Sequence, residues 1–476
     1  MKPDMNVVGK ILKNVTFYCD ELDPSIIYAE YEKNDHTLHF QNIDSNEFSS
    51  CLRIWYGKES GSNDEVDVKP ILRYIHDDSN YYQDFPAIQT HTRIAGNLRD
   101  GIEYFLADKA RQVVSIKDGT WDITTESEHK FLSSASHSAQ RIPERSKGKN
   151  ILTLLGPFAN LKDDDLTLFV IWLIQTFSGG SHYGIMFSAE RGSGKSTLNR
   201  IIDRLLDPSN TEPKIMPKGL DNFQMMLANC YLASFDNVRD ISIDQSDTLC
   251  SAITGGTVVK RVLYETSKVA ELRLHNVVVI NGIDVFPSES DLAERFLLFP
   301  LKKIKPNKIN TDHDLFAEFE KVRPAILGCI FDILASATEI IKTLTPKEPT
   351  RMANAYTEML AIANVLGISE EKFHEMITAN ITRLHQTCCS TPLVEAICEY
   401  MNGPMAGSRK LCDTSTNVFT RIRNNYSGSK QLLPSTASRF SCRLKAEHEA
   451  LYQAGFSSIV DDTGASASTI TILRER

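Results

Sequence analysis

The 476-residue sequence has no long hydrophobic run, which excludes a membrane-spanning helix as its organising feature. Its most apolar stretch, LTLFVIWLIQTF at 166–177, falls short of the roughly 20 residues that cross a bilayer and predicts a buried helix. No basic segment followed by an apolar one stands near Met1, so nothing reads as an export signal. The ten cysteines include no CxxC pair with a matching second pair. Cys388 and Cys389 are adjacent, with His385 and Cys398 nearby in a predicted helical region, and adjacent side chains on a helix do not converge on one ion. Reduced thiols in a cytoplasmic setting are the expectation. Positive charge is also in deficit: the net charge of -9 leaves no surface that attracts phosphate backbones as a whole, so any nucleic-acid contact must be local. Internal repeats and low-complexity segments are missing too, and the chain reads as a mosaic of distinct parts.

What is there is ordinary globular protein. Hydrophobic residues make up 42% and charged residues 24%, proportions that sustain folded cores, and the length favours about three units. From 1 to 145 the pattern is short and strand-rich, as in TLHFQNI (37–43) and CLRIWYG (51–57), and predicts an N-terminal α+β domain whose chemistry is not legible. RQVVSIKDGTWDI (111–123) predicts a hairpin, and the polar PERSKGKN (143–150) predicts a linker. From 151 to 305 helices alternate with apolar strands, the pattern of an α/β domain with a mostly parallel sheet. Its strands are YGIMFSA (183–189), CYLASFD (230–236) and NVVVING (276–282), and its helices include LKDDDLTLFVIWLIQTF (161–177) and STLNRIIDRLL (196–206). A helical lid or bundle follows over 306–388, then a last unit over 390–476 with helices and a hairpin-like end.

The strongest motif is AERGSGKST, which lies between a predicted strand and a predicted helix. Glycines there let backbone N–H groups wrap phosphates, and the helix N-terminus adds partial positive charge. The cofactor-binding set is therefore Ala189, Glu190, Arg191, Gly192, Ser193, Gly194, Lys195, Ser196 and Thr197, with ATP and Mg2+ as the expected ligands. Lys195 is suited to the β- and γ-phosphates and Ser196 to the magnesium ion. One departure is visible, since Ala189 stands where the GxxxxGK[ST] pattern has glycine. Asp236, after the apolar run YLASF, is the second metal carboxylate. Asn237 follows it where many AAA+ ATPases carry the glutamate that polarises water; an amide orients water but takes no proton. Asp240, Asp244 or Asp247 is then a substitute base, or hydrolysis is slow. Asn281 ends another apolar strand and suits either the attacking water or a turn before Gly282; Arg295 suits either a neighbouring subunit's ATP or a surface ion pair.

Taken in order, AERGSGKST, SFDNVRDISIDQSDTLCSAITGG (234–256), VVVINGID (277–284) and DLAERFLLFPL (291–301) resemble the helicase-like AAA+ proteins of phages, plasmids and mobile islands. Those proteins are related to superfamily-three helicases and are often joined to or encoded beside primases. The resemblance spans about 100–476. It implies an AAA+ P-loop core, a homo-hexameric ring with ATP between subunits, a primase partner, and the Walker B, sensor and arginine-finger roles for Asp236, Asn281 and Arg295. Between the TGG turn and the sensor strand, VVKRVLY (258–264) and VAELRLH (269–275) form two β-rich runs. In superfamily-three helicases a hairpin at this place enters the ring channel, so Lys260, Arg261 and Lys268 are the candidates for single-stranded DNA, with a solvated hairpin face as the alternative.

The C-terminal stretch 432–476 also resembles the end of such proteins. PSTASRFSCRLKAEHEALYQAG reads as one helix with Ser435 or Thr436 near its cap, and FSSIVDD and STITILR as strands, the makings of a winged helix. Arg439, Arg443 and Lys445 would meet duplex DNA if that helix enters a groove; a subunit-packing module is the alternative. The resulting expectation is an ATP-dependent DNA helicase or translocase of mobile-element replication, with an ATP-binding regulatory or defence ring as the rival.

Overall fold

Capping and periodicity settle the elements one by one in the computed structural model. It describes all residues except 1, 34–36, 63, 82–84, 134–136, 189–191, 211–213, 240, 262–268, 283–289, 305–310, 390, 404–408, 431–432, 462–467 and 476; at 78–81, 260–261, 269–270, 290, 385–389, 446, 449 and 453 the backbone alone is described. The chain divides into two units, one of Met1–Ile283 with Phe299–Met376, the other of Asp284–Leu298 with Ile377–Arg476.

In the first unit the N-terminal sheet has the order Leu38–Asn42, Ile27–Glu32, Thr16–Asp20, Ala87–Ile88. Residues 51–57, expected as a strand, lie inside the helix Asn46–Ser60. Ser45 caps that helix by accepting the Phe48 N–H, and Gly61 closes it at φ 65°. Its buried residues Phe48, Cys51, Leu52 and Tyr56 recur at helical spacing, and this longer-range period outweighs the β-propensity of Ile54, Trp55 and Tyr56. A second sheet follows, antiparallel throughout: Ile94–Asn97, Gly101–Phe105, Val113–Lys117 and Thr120–Thr124, the last two being the expected hairpin.

The third sheet, in which Leu232–Val238, Val277–Gly282 and Gly184–Ser188 run parallel, positions the site. Its order runs from Leu232–Val238 through Val277–Gly282 to Gly184–Ser188, with the Phe299–Pro300 end of a fourth strand beyond. Asp163–Gln175 opens with three aspartates at its positive end and buries every residue from Leu168 to Gln175. Trp172 Nε1 donates to the Tyr183 carbonyl at 2.8 Å and holds this helix to the chain entering the central strand. Among the described residues no helix is long and apolar enough to cross a membrane.

The antiparallel and parallel sheets are joined by a buried ion pair. Arg93 is fully enclosed and donates to Asp207 Oδ1 at 2.8 Å, to the Phe105 carbonyl at 3.1 Å and to the Pro208 carbonyl at 3.0 Å. Asp207 in turn accepts the Leu232 N–H with its other oxygen at 3.3 Å, at the start of the strand that carries Asp236. The helices Asp312–Ile340 and Ala353–Val365 pack against this assembly.

The second unit has its own core, built from Leu393, Ile397, Val418, Phe440, Leu451 and Ile472 among others. Its element order is helix Pro392–Asn402, strand Lys410–Thr414, helix Ser415–Asn425, helices Ala437–Ala446 and His448–Gln453, then strands Phe456–Asp461 and Thr469–Arg474. Lys410–Thr414 is a third strand beside the expected hairpin and pairs antiparallel with Thr469–Arg474. The single helix expected over 434–455 is two, broken at Glu447; Thr436 caps the first.

Candidate active site

Three parallel strand ends and one helix N-terminus converge on the AERGSGKST motif. Gly184–Ser188 leads into it and Lys195–Leu206 leaves it, with Leu198, Ile201, Ile202, Leu205 and Leu206 buried to anchor the helix. Gly192 and Gly194 have φ of 80° and 84°, the left-handed region where a side chain is strained. A Cβ on Gly194 would also press on Ile304 at 3.2 Å. Ala189, Glu190 and Arg191 lie outside the described residues. Ser193 is buried, and its hydroxyl finds no partner among the described residues. Ser196 is exposed on the first turn and Thr197 half-buried.

Lys195 Nζ donates to the Gly282 carbonyl at 2.9 Å, so the loop lysine and the end of the Val277–Gly282 strand meet. Asn281, one residue earlier and 2% exposed, donates from Nδ2 to Asp236 Oδ1 at 2.6 Å. The register explains the meeting: Phe235 lies opposite Ile280, then the pairing shifts before Val238 meets Gly282, and Asp236 and Asn237 sit in that bulge. Asn237 has φ 56° and donates its backbone N–H to Asp236 Oδ1 at 2.8 Å. Asparagine tolerates that left-handed backbone better than glutamate does, so the residue type at 237 has a conformational reason. Lys195, Asp236 and Asn281 are therefore brought together, and Asn237 points its backbone into the same cluster.

Other candidates are placed elsewhere. Asp244 and Asp247 are exposed on the helix Ile243–Thr254, whose start is closed by a capping box between Ser242 and Gln245; Asp240 lies outside the described residues. Arg295 belongs to the second unit, 15% exposed at the side chain, and is held by Asp291, with Nη1 at 2.6 Å from Oδ2 and donating to the Asp291 carbonyl at 2.5 Å. Lys260 and Arg261 lie on the hairpin strand Gly256–Arg261, opposite Ala270 and Val269 of Val269–Leu274, and Lys268 lies outside the described residues. Arg439 and Arg443 share one face of Ala437–Ala446, and Arg443 pairs with Glu447 at 2.5 Å. Lys445 stands about 200° around the helix from Arg443, so the three do not form one patch.

Two residues that sequence reasoning passed over hold the loop. Asn160 Nδ2 donates to the Ser193 and Lys302 carbonyls, both at 2.7 Å, and Asn160 itself ends the helix Ile151–Ala159 at φ 49°. Ile304 N donates to the Gly192 carbonyl at 3.2 Å. An Asn closing a helix is a readable signal for a left-handed cap, but its targets 33 and 142 residues away are not.

This geometry sits within a stretch that has known relatives. Residues 150–361 match the family model of the actinomycete integrative conjugative element replication protein. The stretch is thus similar to a mobile-element replication protein, and it contains Asn160, the glycine loop, Asp236 and Asn281. No curated protein matches the chain. Among solved structures, two apo structures of the NrS-1 C-terminal region align. One is 12% identical, covers 99% of both chains and has a TM-score of 0.40; the other is 11% identical, covers 99% of this chain and 98% of that one, and has a TM-score of 0.39.

Proposed function

We propose that the chain is an ATP-hydrolysing motor of mobile-element DNA replication, working as a ring with ATP between subunits. The observation that carries this reading is the Asp236–Asn281 side-chain bond beside Lys195, three groups from three separate segments gathered at the end of one parallel sheet. The match of 150–361 to a replication family agrees with it.

The residues fit a nucleotide with magnesium. Positive φ at Gly192 and Gly194 is the backbone conformation that lets such a loop turn its N–H groups toward phosphate oxygens, and the buried Ser193 hydroxyl, without a partner among the described residues, is a further polar group in that loop. Ser196 and Asp236 are the residues that would hold Mg2+. The ion supplies charge compensation for phosphate oxygens. Lys195 would exchange the Gly282 carbonyl for phosphate, which lets nucleotide arrival be felt at the Asn281 strand. Asn281, as donor to Asp236, fixes the carboxylate's orientation and can align water with its remaining amide oxygen. Asn237 supplies no base, and Asp244 is the nearest described acid along the chain, placed in the first turn of its helix.

The remaining parts extend the reading to DNA. The Gly256–Arg261 and Val269–Leu274 hairpin would present Lys260, Arg261 and Lys268 to a single strand in the channel. The helix and strand order of the second unit supports a winged-helix reading, in which Ala437–Ala446 would be the recognition helix and Arg439 and Arg443 would meet duplex DNA. Arg295 would serve the neighbouring subunit's ATP after leaving Asp291. The deciding experiment is ATP turnover with and without single-stranded DNA. Stimulated turnover is expected; ATP binding with slow turnover that DNA does not change favours the rival regulatory or defence ring, for which Asn237 is the supporting observation.

A further inference from the structure

The three parallel strands that lead to the glycine loop, Asp236 and Asn281 all begin at one cluster. His182 stands two residues ahead of Gly184–Ser188, Tyr231 immediately ahead of Leu232–Val238, and His275 two residues ahead of Val277–Gly282. The imidazoles of His182 and His275 are stacked, with centroids 5.6 Å apart and planes 5° from parallel. His182 is fully enclosed. His275 Nε2 donates to the Gly180 carbonyl at 2.8 Å, and this residue borders two cavities of about 410 and 500 Å3, which bring solvent to one side of the pair.

The hydrogens around His182 are one too few. The Gln175 amide is fixed in orientation, since its Nε2 donates to the Ser181 carbonyl at 2.9 Å and to Glu358 Oε2 at 2.7 Å. Its Oε1 therefore faces His182 Nδ1, at 3.2 Å. On the other side Nε2 lies 2.9 Å from the Tyr231 hydroxyl, which is also 2.7 Å from the carbonyl of the buried Thr176. A neutral imidazole has one N–H. Placed on Nδ1 it satisfies Gln175, and the single Tyr231 hydrogen then serves either His182 Nε2 or the Thr176 carbonyl, leaving the other unmade at a cost. Placed on Nε2 it leaves Nδ1 and the Gln175 oxygen as two acceptors facing each other. Only the imidazolium satisfies every acceptor.

We propose that His182 is a proton-operated positioning group: uptake of one proton completes the bonds of this cluster, fastens the feet of the three strands and tightens the nucleotide site at their far ends. The stack admits one proton, because a second on His275 would set two like charges face to face. Besides Tyr231 and His275, the titratable and charged groups around the cluster are Glu358 and Arg99 beyond Gln175, Asp207 and Tyr104 beyond Tyr231, and His91 beyond His275. Burial, then His275, holds the His182 imidazole well below its ordinary 6.5, so it is neutral above that value and the proton enters as pH falls below it. The proton step stands apart from the ATPase reading, and its effect on nucleotide rests on that reading.

The test uses the full chain with isotope-labelled histidine, following the His182 ring by NMR from about pH 7.5 down to about pH 5, with His182→Gln to assign its signal. One protonation step below pH 6.5 is expected. Tyr231→Phe takes away the acceptor of the Nε2 hydrogen and should lower the midpoint by about half a pH unit or more. His275→Gln, which keeps a donor for the Gly180 carbonyl, should raise it. A ring that stays neutral throughout, or a midpoint that Tyr231→Phe leaves in place, overturns the proposal. Fluorescent-nucleotide titration over the same range reads the effect: the affinity of the unsubstituted chain relative to His182→Gln should rise by about twofold or more through the midpoint seen by NMR. A constant ratio overturns the transmission while the proton site stands. If neither chain binds nucleotide at any pH, the glycine-loop reading fails and the NMR result is untouched. Should His182→Gln not fold, as judged by its Tm, His275→Gln carries the comparison, and its rise in affinity should begin at higher pH than in the unsubstituted chain.

Discussion

At the scale of single residues, the site depends on side chains that each satisfy a distinct geometric demand. Lys195→Ala removes the loop's positive charge from a half-buried position, so folding should persist while nucleotide affinity falls by about tenfold or more. Fluorescent-nucleotide titration alongside circular dichroism measures both, and an unchanged affinity would refute the loop assignment. Asn237 makes a contrasting case, because its φ of 56° is a backbone demand. Asn237→Gly should leave stability in place, whereas Asn237→Val should cost about 1–2 kcal/mol in urea unfolding. Equal stabilities would show that the bulge at 236–237 relaxes. Asn160→Ala removes two hydrogen bonds from the loop's support and should weaken nucleotide binding without touching any phosphate-facing group.

At the scale of elements, the hairpin and the second unit call for different tests. Lys260→Ala, Arg261→Ala and Lys268→Ala together should weaken single-strand binding for any sequence and flatten its dependence on salt, because fewer counterions are released. Fluorescence anisotropy at two salt concentrations reads this directly. A wild-type salt slope would make the hairpin a structural ribbon. Removing 432–476 is a poor probe of duplex binding, since Leu433, Phe440, Leu451, Phe456 and Ile472 all belong to the core shared with Leu393 and Ile397. Arg439→Ala with Arg443→Ala keeps that core, as both side chains are exposed, and should reduce duplex binding while leaving single-strand binding intact.

At the scale of the whole molecule, assembly and pH are the informative variables. Arg295→Ala should spare nucleotide binding and abolish turnover, and mixing it with the Lys195→Ala chain should restore part of the activity. Such rescue requires a site shared between copies; a dead mixture together with a monomeric wild type removes the ring. Stability should also fall on acidification. Burial, followed by the nearby His129 and Arg273 for His91 and by Arg93 for His137, lowers both imidazoles from 6.5 to about 4. The unfolded chain then binds more protons between those values, so the stabilisation present above pH 6.5 is lost as pH falls toward 4. His91→Gln with His137→Gln should flatten the Tm profile in that window, and an unaltered slope would show that neither imidazole is held neutral.

The sequence by itself determined the order of motifs, the strand–loop–helix setting of Lys195, the parallel strands that carry Asp236 and Asn281, and the paired strands Gly256–Arg261 and Val269–Leu274. These are local matters: glycine spacing, apolar runs and β-propensity act within a few residues. Local signals misled where two periods competed, as at 46–60, where the helical spacing of Phe48, Cys51, Leu52 and Tyr56 prevails over a β-rich heptapeptide. Only the tertiary structure decided which polar groups meet. Asn281 reaches Asp236 across 45 residues because a bulge shifts the register of two strands. Asn160 holds the glycine loop, and Arg93 fastens an antiparallel sheet to Asp207 across 114 residues. Such pairings depend on strand register and on how buried charges find partners once the sheets pack, and nothing within a few residues of either partner specifies them.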